Sequence, residues 1–186
     1  RQRDFAVLVV VAGADRAGKG EMLHHLNEWL DPRGVVTHAF WDTSTEEQRR
    51  PEYWRYWRAM PGAGRIGILF GSWYSAPIIG RVLKKEKRRE FDSALERIVR
   101  FEKLLTDSEA VLVKLWLHLP KAAQKARLEE LEEEGRIGPD DWTHFAKYTR
   151  FREVSEAALE RTHTGSAPWH VIEATDRRWR EVTAAK

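Results

Sequence analysis

The octapeptide Gly13-Ala-Asp-Arg-Ala-Gly-Lys-Gly20 lies between an apolar run, Phe5 to Ala12, and an amphipathic stretch, Glu21 to Leu30. Few folds accept a buried strand, a glycine loop and a helix in that order, and the pattern G-x-x-x-x-G-K belongs to loops that wrap a phosphate. Gly13 and Gly18 allow the tight turn and bring backbone N–H groups up to an anion. The helix that starts near Gly18 adds the positive end of its dipole, and Lys19 is placed to reach the outer phosphates. Gly20 stands where many such loops carry a hydroxyl that holds Mg²⁺.

The remaining pattern alternates. Val35–Phe40, Ile66–Phe70, Val111–His118 and Trp169–Glu173 read as further strands, and the stretches between them read as helices. This predicts an α/β fold with a five-stranded parallel sheet flanked by helices. Pro51 to Met60 reads as a short aromatic helix, Phe91 to Leu105 as an amphipathic one, and Asp140 to Thr162 as one long helix. The loop at Asp42–Glu47 carries a capping box, Thr43 or Ser44 followed by Glu46 or Glu47. The runs Lys84–Arg89 and Glu129–Glu134 read as solvated helix faces.

With 186 residues the chain suits a single domain, and it contains no cysteine, which excludes disulfides, Cys-ligated zinc and thiol catalysis. That fits a reducing, cytoplasmic setting. No apolar run is long enough to span a membrane. A net charge of +3 suits an anionic substrate and lacks the concentrated basic surface of a nucleic-acid binder. The nine tryptophans are expected mostly in the core or in site walls. The chain opens on Arg1 without Met, as expected of a piece of a longer protein.

Among the charged residues, Asp15 has two readings: a carboxylate that meets phosphates through Mg²⁺, or one that fixes the loop through local N–H groups. Arg16 pairs with Asp15 or reaches a phosphate. Arg55 and Arg58 contact phosphates or lie across Trp and Tyr faces. Lys114 and His118 share one face of their strand, with His118 nearer the end where ligands gather.

Beyond the loop, the chain carries Thr45-Glu-Glu47, Trp54-Arg-Tyr-Trp-Arg58 with Pro61, and Leu69-Phe70-Gly-Ser-Trp-Tyr74. Phe101-Glu-Lys-Leu-Leu105, Lys114-Leu-Trp-Leu-His118 and Ala167-Pro-Trp-His-Val-Ile172 follow in order. In these motifs the chain resembles the polyphosphate kinase 2 family over nearly its whole length. An ordinary nucleoside monophosphate kinase would explain the loop but not the tryptophan-rich motifs.

The resemblance implies a P-loop kinase core, residues 1–186 as one domain, and a helical lid at about 135–161 whose arginines are Arg150, Arg152 and Arg161. It implies phosphoryl transfer between polyphosphate and AMP or ADP with Mg²⁺, and a homo-oligomer or a tandem partner domain. The site residues would be Asp15, Lys19, Arg55 and Arg58 for catalysis, Gly13, Arg16, Gly18, Lys19 and Gly20 for phosphate, and Asp15 for the metal.

Two departures from the family's pattern bear on activity. Active members carry Asp-Arg before Ser-Trp-Tyr, whereas here Phe70 runs into Gly71-Ser72-Trp73-Tyr74. Asp42 is the only substitute acid that can be named. The family's last loop glycine is replaced by Glu21, which is set to compete with phosphate for the helix dipole. This combination is most like the N-terminal repeat of tandem members. It implies activity that is weakened or lost, with a structural, regulatory or phosphate-binding role for a partner catalytic domain as the alternative.

Overall fold

The computed structural model describes residues 5–185. Its centre is one sheet of five strands, β1 (Val7–Gly13), β2 (Val35–Ala39), β3 (Ile66–Phe70), β4 (Val111–His118) and β5 (Trp169–Glu173), in the order β2-β3-β1-β4-β5. All pairings are parallel, with Val10 opposite Leu69 on one side and Lys114 on the other. The most continuous apolar run takes the central position, as expected for a strand covered on both faces.

The helices are α1 (Lys19–Trp29), α2 (Thr45–Gln48), α3 (Trp54–Trp57), α4 (Ser75–Val82), α5 (Arg88–Asp107), α6 (Lys121–Glu133), α7 (Asp141–Phe145), α8 (Tyr148–Thr162) and α9 (Arg177–Ala185). One face of the sheet buries Val11, Ile68, Leu115, Leu117 and Ile172 with Met22 and Leu26 of α1. The other buries Val10, Leu69 and Trp116 with Ile78 of α4, Leu95 and Ile98 of α5, and Ala158 of α8. The connection after β1 leads to β2 and that after β4 leads to β5, on opposite sides. A crevice therefore opens between the carboxyl ends of β1 and β4, where ligands of such sheets bind.

A buried polar network ties the second face together. Lys114 of β4 donates to Glu102 of α5 at 2.7 Å and to the Thr162 carbonyl of α8 at 2.8 Å. Glu102 also accepts from the Tyr74 hydroxyl at 2.5 Å and the Trp73 indole at 3.0 Å. Trp169 of β5 reaches Thr162 at 2.9 Å. Four of the motifs that carried the family resemblance thus meet as one structural joint.

Three expectations need correcting. The stretch Asp140–Thr162 is two helices, α7 and α8, separated at Ala146–Lys147. The chain tightens there: the Lys147 N–H bonds the His144 carbonyl three residues back at 2.9 Å, a 3₁₀-type turn that ends α7. The tryptophans divide: Trp73, Trp116 and Trp169 are buried, Trp54 and Trp142 are partly buried, and Trp29, Trp41, Trp57 and Trp179 are exposed, more of them than expected. The basic run at 84–89 spans the turn between α4 and α5 rather than one helix face, and Lys84 has φ +59°. The capping box resolves to Ser44 with Glu47.

Candidate active site

The phosphate loop leaves β1 at Gly13 and enters α1 at Lys19. Gly18 adopts φ +78° at the helix start, and a Cβ there would lie 2.1 Å from the Arg180 guanidinium. Left-handed backbone and close packing both require glycine. No side chain caps α1, so the first-turn N–H groups are offered to whatever enters the loop. A Cβ on Gly20 would meet nothing within 4 Å, so the start of the helix is open.

Lys19 folds over its own loop, with Nζ 2.6 Å from the Ala14 carbonyl and 3.0 Å from that of Gly13. Burial pushes its pKa down; Asp15 opposes this and Arg16 adds to it. A partly desolvated ammonium held on neutral carbonyls would gain from exchanging them for a charged oxygen.

Glu21 does not lie across the loop. It accepts from Arg127 of α6 at 2.7 Å and from Arg180 of α9 at 2.5 Å. Burial alone would raise its pKa, but the two guanidiniums outweigh burial and hold it below the usual carboxylate value. Arg180 is fully buried and also donates to the Ala17 carbonyl at 3.3 Å. One acid and two arginines therefore fix the underside of the loop.

Asp15 and Arg16 face α7. Arg16 pairs with Asp141 of α7, and Asp15 lies 3.4 Å from His144 of the same helix. Gln124 of α6 holds the Asp15 carbonyl at 3.0 Å.

The other candidates form their hydrogen bonds and ion pairs with residues outside the loop. Arg55 lies 3.2 Å from Glu47, donates to the Trp41 carbonyl at 3.0 Å, and stacks over Phe40. Arg58 lies 4.8 Å over the Trp54 ring. Among the described residues, no hydrogen bond or ion pair joins either arginine to the loop. Arg150 is anchored on the carbonyls of Arg81 and Val82, both at 2.9 Å, and Arg161 pairs with Asp92. Arg152 lies near Glu156 and lines a groove of about 260 Å³ with Ala14, Trp116, His118 and Phe151.

At the end of β3, Gly71 has φ +79°, and a Cβ there would fall 2.3 Å from the Phe40 carbonyl oxygen. The position has no room for a side chain of any kind. Sequence reading did not find Arg127, Arg180, Asp141, His144 or Gln124 as partners of the loop.

A parallel sheet in this order, with a glycine loop between β1 and α1, defines a P-loop kinase fold. The structure superposes on thymidylate kinase from Candida albicans with a TM-score of 0.58 at 12% identity, over 99% of this chain and 91% of that one, a likeness of fold alone. The family model described as polyphosphate kinase 2 matches residues 1–186, and the chain belongs to that family.

A polyphosphate:AMP phosphotransferase of Pseudomonas aeruginosa is 40% identical over the whole of this chain, and an ADP-polyphosphate phosphotransferase of Rhizobium meliloti is 28% identical over 92% of it. The chain spans 38% of the first relative's length and 58% of the second's. A polyphosphate kinase 2 structure from Arthrobacter aurescens aligns at TM-score 0.91 and 29% identity, covering 98% of this chain and 66% of that one.

Proposed function

We propose that this chain is a polyphosphate-dependent nucleotide phosphotransferase domain, moving phosphoryl groups between polyphosphate and AMP or ADP, with activity weakened or lost through the missing strand-end Asp-Arg. The observation that carries the reading is the open start of α1 with Lys19 held on loop carbonyls beside it. Phosphoryl transfer consists mainly of positioning and charge neutralisation, and an anionic acceptor phosphate needs no strong base. Lys19 and the first-turn N–H groups would grip the phosphates, and Arg16 would join them on release from Asp141.

Asp15 fits a divalent cation in a limited way. Its side chain is half exposed and its oxygen has only a long contact to His144. Mg²⁺ is commonly held by one or two carboxylates with substrate phosphates and water completing the shell. Bound there, Mg²⁺ would offset the repulsion between two polyanions. The place where a second acid would stand is Gly71, and its backbone conformation excludes a side chain.

That last observation favours a second reading, a degenerate repeat that binds phosphate or supports a catalytic partner domain. The test is product formation by purified 1–186 with polyphosphate, Mg²⁺ and AMP or ADP, beside Lys19→Ala. Transfer that depends on Lys19 supports the enzyme. Oligophosphate binding without transfer supports the degenerate repeat. Neither binding nor transfer rejects both.

A further inference from the structure

Arg16 presents a two-pronged donor to Asp141, with Nε 3.1 Å from one carboxylate oxygen and a terminal nitrogen on the other. The Gly138 N–H donates to that second oxygen at 2.6 Å. The Asp141 side chain is only 12% exposed. Burial would raise its pKa, but Arg16 and the Gly138 N–H outweigh burial and keep it lowered, so it is anionic at neutral pH. On the neighbouring turn of α7, His144 faces Asp15. Both charged side chains at the tip of the phosphate loop are thus engaged by one short helix of the lid segment, more than 120 residues away in the chain.

An arginine fork plus a backbone N–H is the donor set that binds two oxygens of a phosphate. Here a carboxylate supplies those oxygens. An oligophosphate entering the loop meets an arginine already spent and a carboxylate that repels it. A cation approaching Asp15 meets a histidine.

We propose that Asp141 and His144 are positioning residues that occupy Arg16 and Asp15 in the empty protein and yield them to an incoming oligophosphate and its divalent cation. The proposal rests on reading the loop as an oligophosphate site. Loading is an exchange: phosphate replaces Asp141 on Arg16, the cation replaces His144 on Asp15, and the repelled Asp141 side chain turns away from the loop and releases the Gly138 N–H. The contact lowers apparent affinity, because only the fraction of molecules with Arg16 free is competent to bind.

Titrate tripolyphosphate into wild type, Asp141→Asn and His144→Gln by calorimetry, with and without Mg²⁺. Follow amide exchange at residues 136–147 in the free and loaded proteins. The expected results are about three- to tenfold tighter binding for Asp141→Asn, and tighter binding for His144→Gln only when Mg²⁺ is present. The Gly138 amide should exchange faster in free Asp141→Asn, and faster in wild type once tripolyphosphate is added.

A residue that merely supports the lid would weaken binding when changed, so the direction of the effect decides. Unchanged or weaker binding by Asp141→Asn, with wild type binding normally, overturns the proposal. Equal Gly138 exchange in the two free proteins overturns the contact itself, whatever the ligand does. A protected Gly138 with no tripolyphosphate binding by any of the three proteins rejects the oligophosphate reading of the loop, and the exchange falls with it.

Discussion

The Lys114 ammonium lies 2.7 Å from the Glu102 carboxylate, and both side chains are closed off from water. Burial pushes the Lys114 pKa down, and Glu102 works against that. The pair is held at an acceptable cost only because Tyr74, Trp73 and the Thr162 carbonyl take up the remaining hydrogen-bonding capacity. Lys114→Met should therefore destabilise the fold by about 3–5 kcal/mol, by leaving Glu102 buried and unpaired. Combining it with Glu102→Gln should recover part of that loss. Urea unfolding of wild type, both single variants and the double variant is the measurement, and full additivity would mean that the two groups do not act as a pair.

Gly71 should tolerate no substitution. Gly71→Ala places a Cβ against the Phe40 carbonyl in a left-handed backbone, and should cost roughly 2–3 kcal/mol. An acid introduced there alone should carry the same penalty and restore no transfer. Wild-type thermal stability in Gly71→Ala would show that the β2–β3 ends are looser than the structure has them.

Arg150 and Lys19 should separate stability from anion binding. Arg150→Ala releases two carbonyls at the end of α4 and should lower stability by about 1–3 kcal/mol, with oligophosphate affinity kept. Lys19→Ala should do the reverse: loss of oligophosphate binding with an unfolding midpoint close to wild type. Paired calorimetry and urea curves check both halves.

Glu21 carries a pH dependence whose sign is fixed. Its folded pKa lies below the unfolded value of 4.5, so the unfolded chain takes up its proton first on acidification. Its contribution to stability is complete above about pH 5 and is lost as pH falls through the folded pKa. The gap in urea stability between wild type and Glu21→Gln should be steady from pH 7 to 5 and close below pH 4. Glu21→Gly, which leaves Arg127 and Arg180 without their acid, should bind tripolyphosphate more tightly while folding less stably. A gap that does not vary with pH would mean that Glu21 gains nothing from its arginines.

The fold was legible because each strand is a run of apolar, β-branched residues bounded by turns, and because Gly13–Gly20 has one structural context. The break at Ala146–Lys147 was not legible, since both residues are good helix formers and the apolar spacing continues across it. Tryptophan gave poor guidance for a physical reason: Trp54 and Trp57 sit on a four-residue helix that cannot bury all its faces, so Arg50 and Arg58 cover Trp54 instead. At the site, Lys19 and the glycines announced themselves through local spacing. Asp141, His144, Arg127 and Arg180 reach the loop from segments more than 100 residues away, and no pattern around them marks their destination. Arg55 and Arg58 carry the charge that a phosphate site needs, yet their guanidiniums are engaged by Glu47, Trp41 and Trp54.

The central claim is that this chain keeps a working phosphate loop in a site short of strand-end charge. Its most direct test is the initial rate of phosphoryl transfer by 1–186 beside an intact family member that carries Asp-Arg at the end of its third strand. Both are assayed with saturating polyphosphate, Mg²⁺ and AMP or ADP, and each has its loop lysine intact or changed to Ala. Losing one preorganised electrostatic contact commonly costs about 10²–10³ in rate, so the chain should be at least ~10²-fold slower than the intact member, with any residual transfer removed by Lys19→Ala. Transfer at the intact member's rate, or transfer that survives Lys19→Ala, would contradict the account.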